Sequence, residues 1–351
     1  MAENNQPNND VRRHHHHRHH RHHHRKFWRW FWIVIGIIVV IALFVCGMVY
    51  KNLRDATNNM YTPVPKTNKS NKGRNLDQLL KEKKPINILL LGTDTGAMGR
   101  HYKGRTDAMM MMAINPKTNT TNIVSIPRDS NAIFPDFPQY GVTKMNSAYT
   151  LGGVGETIKT LDKYYSVPID GYLLVNFGGL VKAIDQVGGI DVASPLTFNN
   201  MGYSFVQGQK THMDGKKALA FVDMRHEDPK SDYGRQERQR LVIQALLKKT
   251  VNPANLLNAK FFNSMSSKME TDLTMNQMYA IVMNYRKATN NVVQDHAQGV
   301  SKETMNPKFG LMEIEVISKA ERQRVSDKLR TALGLPTVKV AANNASYVMN
   351  R

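Results

Sequence analysis

Twenty consecutive residues, Phe31 to Tyr50 (FWIVIGIIVVIALFVCGMVY), carry no charged side chain. A helix of that length spans about 30 Å, the thickness of a bilayer's hydrocarbon core. The run therefore predicts one transmembrane helix over 27–50. Seven basic residues precede it (Arg12, Arg13, Arg18, Arg21, Arg25, Lys26 and Arg29), against Lys51 and Arg54 just after it. That bias keeps the N-terminus cytoplasmic and sends the rest of the chain outside. A cleaved signal peptide is the alternative, but the run is long for one and VCGMVYKNL offers no small-residue cleavage site.

The only cysteine, Cys46, lies inside this run, so an exterior portion of roughly 300 residues folds without a disulfide. This suits a surface protein of a single-membrane bacterium. The formal charge is +20, and removing the first 50 residues, which hold seven of the 48 basic and two of the 28 acidic residues, still leaves +15. An anionic partner is implied. Outside the membrane that partner is a wall polymer or lipid phosphate, and nucleic acid is not expected.

Five segments follow from composition and pattern. Residues 1–26 form a His/Arg-rich cytoplasmic tail whose HHHHRHHRHHH tract, interrupted by arginines, reads as a juxtamembrane tail for anionic lipid, with a metal buffer as the weaker alternative. The membrane helix comes next, and the Asn-, Lys- and Pro-rich 51–85 reads as a stalk. Over 86–250, the strand-length runs INILLLGTD, AMMMMAI and NIVSI are followed by alternating helical and strand patterns. This predicts an α/β fold with a mixed central sheet flanked by helices, an α/β/α sandwich. Residues 251–351 read as a mostly helical extension packed on the same domain, with MEIEVI as one further strand and a helix that opens on a capping box from Ser318 to Glu321 and stops at Gly334. The methionines, including Met109 to Met112, read as core filler.

Ligands of open α/β sheets gather at strand ends. Three such ends carry charge: LLLGTD stops at Asp94, GRTDAM places Arg105 and Asp107 before the next strand, and SIPRD stops at Arg128 and Asp129. If the first two strands are antiparallel neighbours, Asp94 faces Asp107, and two carboxylates sharing a site invite a hard cation such as Mg²⁺. Downstream, Asp232 opens a helix in DYGRQERQRLVIQALL, with Arg235 and Gln239 in line with the apolar Val242 and Leu246. Arg238 and Arg240 fall farther round and read as solvated. Arg225 ends the preceding GKKALAFVDMR run and points to the same region. Convergent arginines without matching acids call for a phosphate.

Taken in order, LLLGTD, GRTDAMM, SIPRD, KMNSAY, GGI, ALAFVDMR and DYGRQERQ resemble the LytR-CpsA-Psr family of Gram-positive envelope proteins over about 86–250. The resemblance implies a membrane-anchored phosphotransferase that moves a polyprenyl-pyrophosphate-linked glycopolymer, of wall teichoic acid or capsule type, onto peptidoglycan. It also implies Mg²⁺ at Asp94 and Asp107, a pyrophosphate held by Arg105, Arg128, Arg225 and Arg235, and Lys144 and Gln239 lining the site. Asp107 is the candidate base. Asp223 stands where many members have an arginine, so the site has one cation fewer or uses His226 or Lys230. A pyrophosphohydrolase with the same groups, or a non-catalytic polyanion-binding surface regulator, are the competing readings.

Overall fold

A computed structural model describes residues 51, 54–55, 58–64, 74–94, 104–225, 227–250 and 268–341. The expected membrane helix, the His/Arg-rich tail, part of the stalk, and the PANLLNAKFFNSM segment lie outside the described residues.

Six strands build the central sheet: β1 (Ile86–Thr93), β2 (Thr106–Asn115), β3 (Thr120–Ser125), β4 (Gly171–Asn176), β5 (Met269–Thr271) and β6 (Asn291–His296). Their order is β5-β4-β1-β2-β3-β6. The β1/β2, β2/β3 and β4/β5 pairs are antiparallel, while β1/β4 and β3/β6 are parallel. The sheet is mixed, as the sequence predicts, and β1 and β2 are the antiparallel neighbours that the Asp94–Asp107 reading requires.

Side chains alternate across a strand, so a sheet covered on both faces needs continuous apolar runs. The methionine run does this. Met109 and Met111 join Leu89, Leu91 and Val124 on one face, beneath helices α2 (Ser147–Tyr165) and α7 (Lys319–Ala332). Met110 and Met112 join Ile86, Ile88 and Ile123 on the other, against α1 (Leu76–Lys81), α6 (Met275–Tyr285) and Ile243 and Leu247 of α5 (Asp232–Thr250). All four methionines are buried, each contributing about 2 kcal/mol by removal from water.

A second core forms between α3 (Phe177–Gln186), α4 (Gly215–Asp223) and two small antiparallel ladders, around stacked Phe198, Phe205 and Phe221. Helix α5 serves both cores, sending Val242 to this one and Ile243 and Leu247 to the sheet.

The C-terminal third departs from expectation. Residues 268–341 are not a helical extension: they supply β5, the edge strand β6 and an antiparallel hairpin of Val300–Asn306 with Gly310–Val316. The helices α6 and α7 are present, and Ser318 caps α7 by accepting from the Glu321 N–H at 3.1 Å. The carboxylate of Glu321 instead accepts from the Gln298 N–H, so the reciprocal half of a capping box is not made.

Candidate active site

The functional side chains collect at one end of the sheet because three chain segments turn there. Asp94 follows β1, and the β1/β2 register pairs Gly92 with Ala108 but Thr93 with Thr106. Asp107 is therefore the extra residue of a β-bulge, the device that re-aims a side chain at a strand's rim. Arg105, just before β2, is exposed. Beyond β3, a tight turn in which Ser130 donates through its N–H and Oγ to the Pro127 carbonyl (3.0 and 2.6 Å) presents Arg128 and Asp129. The short ladder of Asn131–Ala132 with Thr143–Lys144 then returns Lys144 to Asp129, with Nζ 3.0 Å from Oδ1.

The first turns of α5 close the site. Arg235 is 4% exposed. Its Nη2 lies 2.5 Å from Asp232 Oδ1 and 3.5 Å from the Asp107 carbonyl oxygen. Gln236 Nε2 donates to the other Asp232 oxygen at 2.9 Å. Arg128 joins the two halves, with Nη1 2.9 Å from Asp107 Oδ1 and Nε 3.8 Å from Asp232 Oδ1. Burial draws the Arg235 pKa below its ordinary value, Asp232 opposes the shift, and the like charges of Arg128 and Arg225 add to it. For Arg128 burial acts in the same direction but is outweighed by Asp107, Asp232 and Asp129, so it is held more firmly as a cation. Neither group's Nε–H has a hydrogen-bond acceptor at normal length, and Arg128 Nε lies 3.6 Å from Asp129 Oδ2 as well. The Nε–H groups of Arg240 and Arg322 are unpaired in the same way, so this feature alone does not mark the site.

The structure thus brings together Asp107, Arg128, Arg235 and Lys144, places Asp94 and Arg105 at the same sheet end by register, and sets Arg225 within the field of Arg235. The expectation that the arginines lack acids is corrected in part. Arg128, Arg235 and Lys144 have carboxylate partners, whereas Arg105 and Arg225 make no ion pair among the described residues.

Gln239 is half-buried one turn beyond Arg235, and Gln236 is a glutamine that bonds to a site carboxylate. Two further readings change. Lys230 does not replace the arginine missing at Asp223, because it pairs with Glu237 at 2.9 Å; His226 lies outside the described residues. Arg238 and Arg240 are not solvated, being 0% and 5% exposed. Arg238 donates to the carbonyls of Phe221 and Met224 and pairs with Asp228, while Arg240 Nη1 donates to Ser125 Oγ at 2.8 Å. Sequence reasoning took Asp232 only as a helix start; its carboxylate faces both the buried Arg235 and the half-buried Arg128.

Residues 47–328 match the model of the LytR_cpsA_psr family, well beyond the 86–250 over which the motifs were read. The chain is 39% identical over 274 residues to the polyisoprenyl-teichoic acid–peptidoglycan teichoic acid transferase TagU of Enterococcus faecalis, covering 77% of this chain and 87% of that one. Among solved structures it is similar to B. subtilis TagU (TM-score 0.56, 30% identity, 73% of this chain and 100% of that one). It is also similar to B. subtilis TagV (TM-score 0.61, 28% identity, 72% and 99%).

Proposed function

The chain belongs to the LytR-CpsA-Psr family, and from that premise we infer that it is a transferase attaching a polyisoprenyl-linked teichoic-acid-type glycopolymer to peptidoglycan. The observation that carries the reading for this site is the convergence of Arg128 and Arg235 on one end of the sheet, with Arg225 in the field of Arg235 and with Arg105 and Arg225 making no ion pair among the described residues. That is an anion site built before the anion arrives, and phosphoryl transfer asks chiefly for such preorganised charge.

In the reaction, an acceptor hydroxyl of the glycan attacks the phosphorus nearest the polymer. The bond from that phosphorus to the bridging oxygen breaks, and polyprenyl phosphate departs with the electron pair. Arg128 and Arg235 hold non-bridging oxygens, while Arg105 and Arg225 offset the charge on the leaving phosphate. The hydroxyl's proton passes to a carboxylate of the same rim.

Asp94 and Asp107 are the residues that would hold Mg²⁺. Asp107 gives Oδ1 to Arg128, and its other oxygen makes no hydrogen bond among the described residues. No group of three metal-ligating side chains occurs among the described residues, so a cation held by these two carboxylates would need its remaining ligands from water or substrate oxygens. Such an ion would supply charge neutralisation on the pyrophosphate. The anchor over 27–50, the exterior location and the lipid-phosphate leaving group belong to the same reading.

The test reconstitutes the full chain in liposomes with labelled lipid-linked polymer, with and without peptidoglycan. Label should move to glycan only when glycan is present. Release of free polymer phosphate at the same rate without glycan would assign the site to a pyrophosphohydrolase.

A further inference from the structure

The hairpin Val300–Asn306/Gly310–Val316 ends in a tip that the reaction does not use. Its inward residue Ile314 is fully buried, and its outward register pairs Glu303 with Glu313 and then Met305 with Leu311. Met305 is 69% and Leu311 62% exposed, and Phe309, in the turn between them, is 49% exposed. Isolated exposed apolar residues are ordinary, but three at one tip are a patch.

The tip is held in a fixed shape. Buried Asn306 accepts from the N–H groups of Lys308 and Phe309 (2.8 and 3.0 Å) and donates to the carbonyls of Tyr140 and Val142 (2.8 and 2.7 Å). Phe309 stacks on Tyr140 at 5.8 Å, with Lys308 Nζ 4.4 Å from the same ring. Val142 stands two residues before Lys144 of the site, and Glu315, at the hairpin's other end, donates its N–H to the Asp129 carbonyl at 2.8 Å. The apolar tip is thus mounted on the segments that carry the rim of the site.

The geometry points to a lipid bilayer as the surface this tip meets, with Met305, Phe309 and Leu311 entering the headgroup–acyl boundary. Three observations select that occupant. Met and Leu side chains have no polar group for a sugar, so they fit acyl chains better than glycan. Lys308, beside them, suits a phosphate headgroup, and the Glu303/Glu313 pair one step back along the strands stays in water and limits entry to about 7 Å, the depth of interfacial insertion. Finally, only about ten residues separate the apolar run ending at Tyr50 from buried Met60, a tether of at most about 35 Å. The inference rests on the membrane-anchored reading above and adds to it a second contact, which presents the site to a donor that itself resides in lipid.

The test uses the full chain in liposomes of phosphatidylglycerol and phosphatidylethanolamine, with Cys46→Ser and a polarity-sensitive fluorophore on Pro307→Cys, and a control label on Lys117→Cys at the β2–β3 turn. Expected are a blue shift and quenching by shallow brominated lipids at 307 and neither at 117. Adding Met305→Ser and Leu311→Ser should cut the quenching at least tenfold while leaving the circular dichroism unchanged. In unlabelled protein the same pair should raise KM for donor in liposomes but not for a short-chain, water-soluble donor. A 307 label as open to aqueous iodide as the 117 label would overturn the proposal, as would protection of it by soluble peptidoglycan fragments alone. Should the anchor reading fail, alkaline carbonate would strip the chain from the liposomes, a result distinct from either.

Discussion

Asp228 is the perturbation that most sharply separates a buried network from a surface charge. Its carboxylate pairs with Arg238, whose side chain is 0% exposed against 5% for Asp228. The same guanidinium donates to the carbonyls of Phe221 (2.9 Å) and Met224, so it ties α5 to the segment that ends in Arg225. Asp228→Ala leaves that cation buried without its counter-charge, which costs about 3–5 kcal/mol in comparable pairs. The two carbonyl contacts remain, so the lower end applies, roughly 3 kcal/mol, or a fall in Tm of about 6–12 °C. Gly234→Ala should reproduce the effect, since a Cβ at that position collides with the Asp228 carboxylate. The assay is urea unfolding of the full chain in micelles followed by far-ultraviolet circular dichroism, because all three tryptophans (Trp28, Trp30 and Trp32) precede the described fold and their emission does not report on it. A loss below about 1 kcal/mol for both variants, where breaking a buried pair should cost several times that, would refute the reasoning.

Arg240→Ala should also destabilise, by about 2 kcal/mol or more through a cavity and a lost bond to Ser125, and a thermal melt checks it. Asp295 is drawn below the usual carboxylate range: burial opposes the shift but is outweighed by Arg324, Lys328 and the His296 N–H. A depressed folded pKa stabilises above the unfolded value, about 3.9, and is lost as pH falls through the folded one. Asp295→Asn should therefore be less stable than the parent from pH 5 to 8, and in denaturant titrations the gap should begin to narrow below about pH 4 and close only as the folded-state carboxyl itself becomes protonated. Asp94→Asn and Asp107→Asn should each weaken the Mg²⁺ dependence of transfer more than Asp129→Asn does, measured against EDTA; full activity in EDTA would remove the metal and leave the arginines standing.

Much of the sheet was legible because its strands are buried on both faces. Short apolar runs such as Ile88–Leu91 and Met109–Ile114, bounded by turn residues, read as strands covered on both faces. The strand β6 was not, since NVVQDH is an edge strand of intermediate and exposed residues with no apolar run, and β5 is only three residues long. In the site, residues next to strand ends could be found from sequence, because Asp94, Arg105, Asp107 and Arg128 sit where short apolar runs stop or start. Arg238 and Arg240 could not. Helical periodicity puts them off the Val242–Leu246 stripe, and what buries them are carbonyls and a hydroxyl from other elements, namely Phe221, Met224 and Ser125. The pairing of site arginines with Asp107 and Asp232 depends likewise on a bulge and a helix start meeting across 125 residues of chain.

The central claim is that cations at this sheet end act on the pyrophosphate, and the most direct measurement compares transfer by Arg105→Ala, Arg225→Ala and Lys230→Ala. All three side chains are exposed cations, but Arg105 and Arg225 lie beside the site and make no ion pair among the described residues, whereas Lys230 is engaged with Glu237. The account predicts that loss of Arg105 or Arg225 lowers kcat/KM by about 10²–10³, as removal of one preorganised donor does, with Lys230→Ala near the parent rate. Equal, small losses in all three would contradict it and reduce the cluster to a generally basic surface.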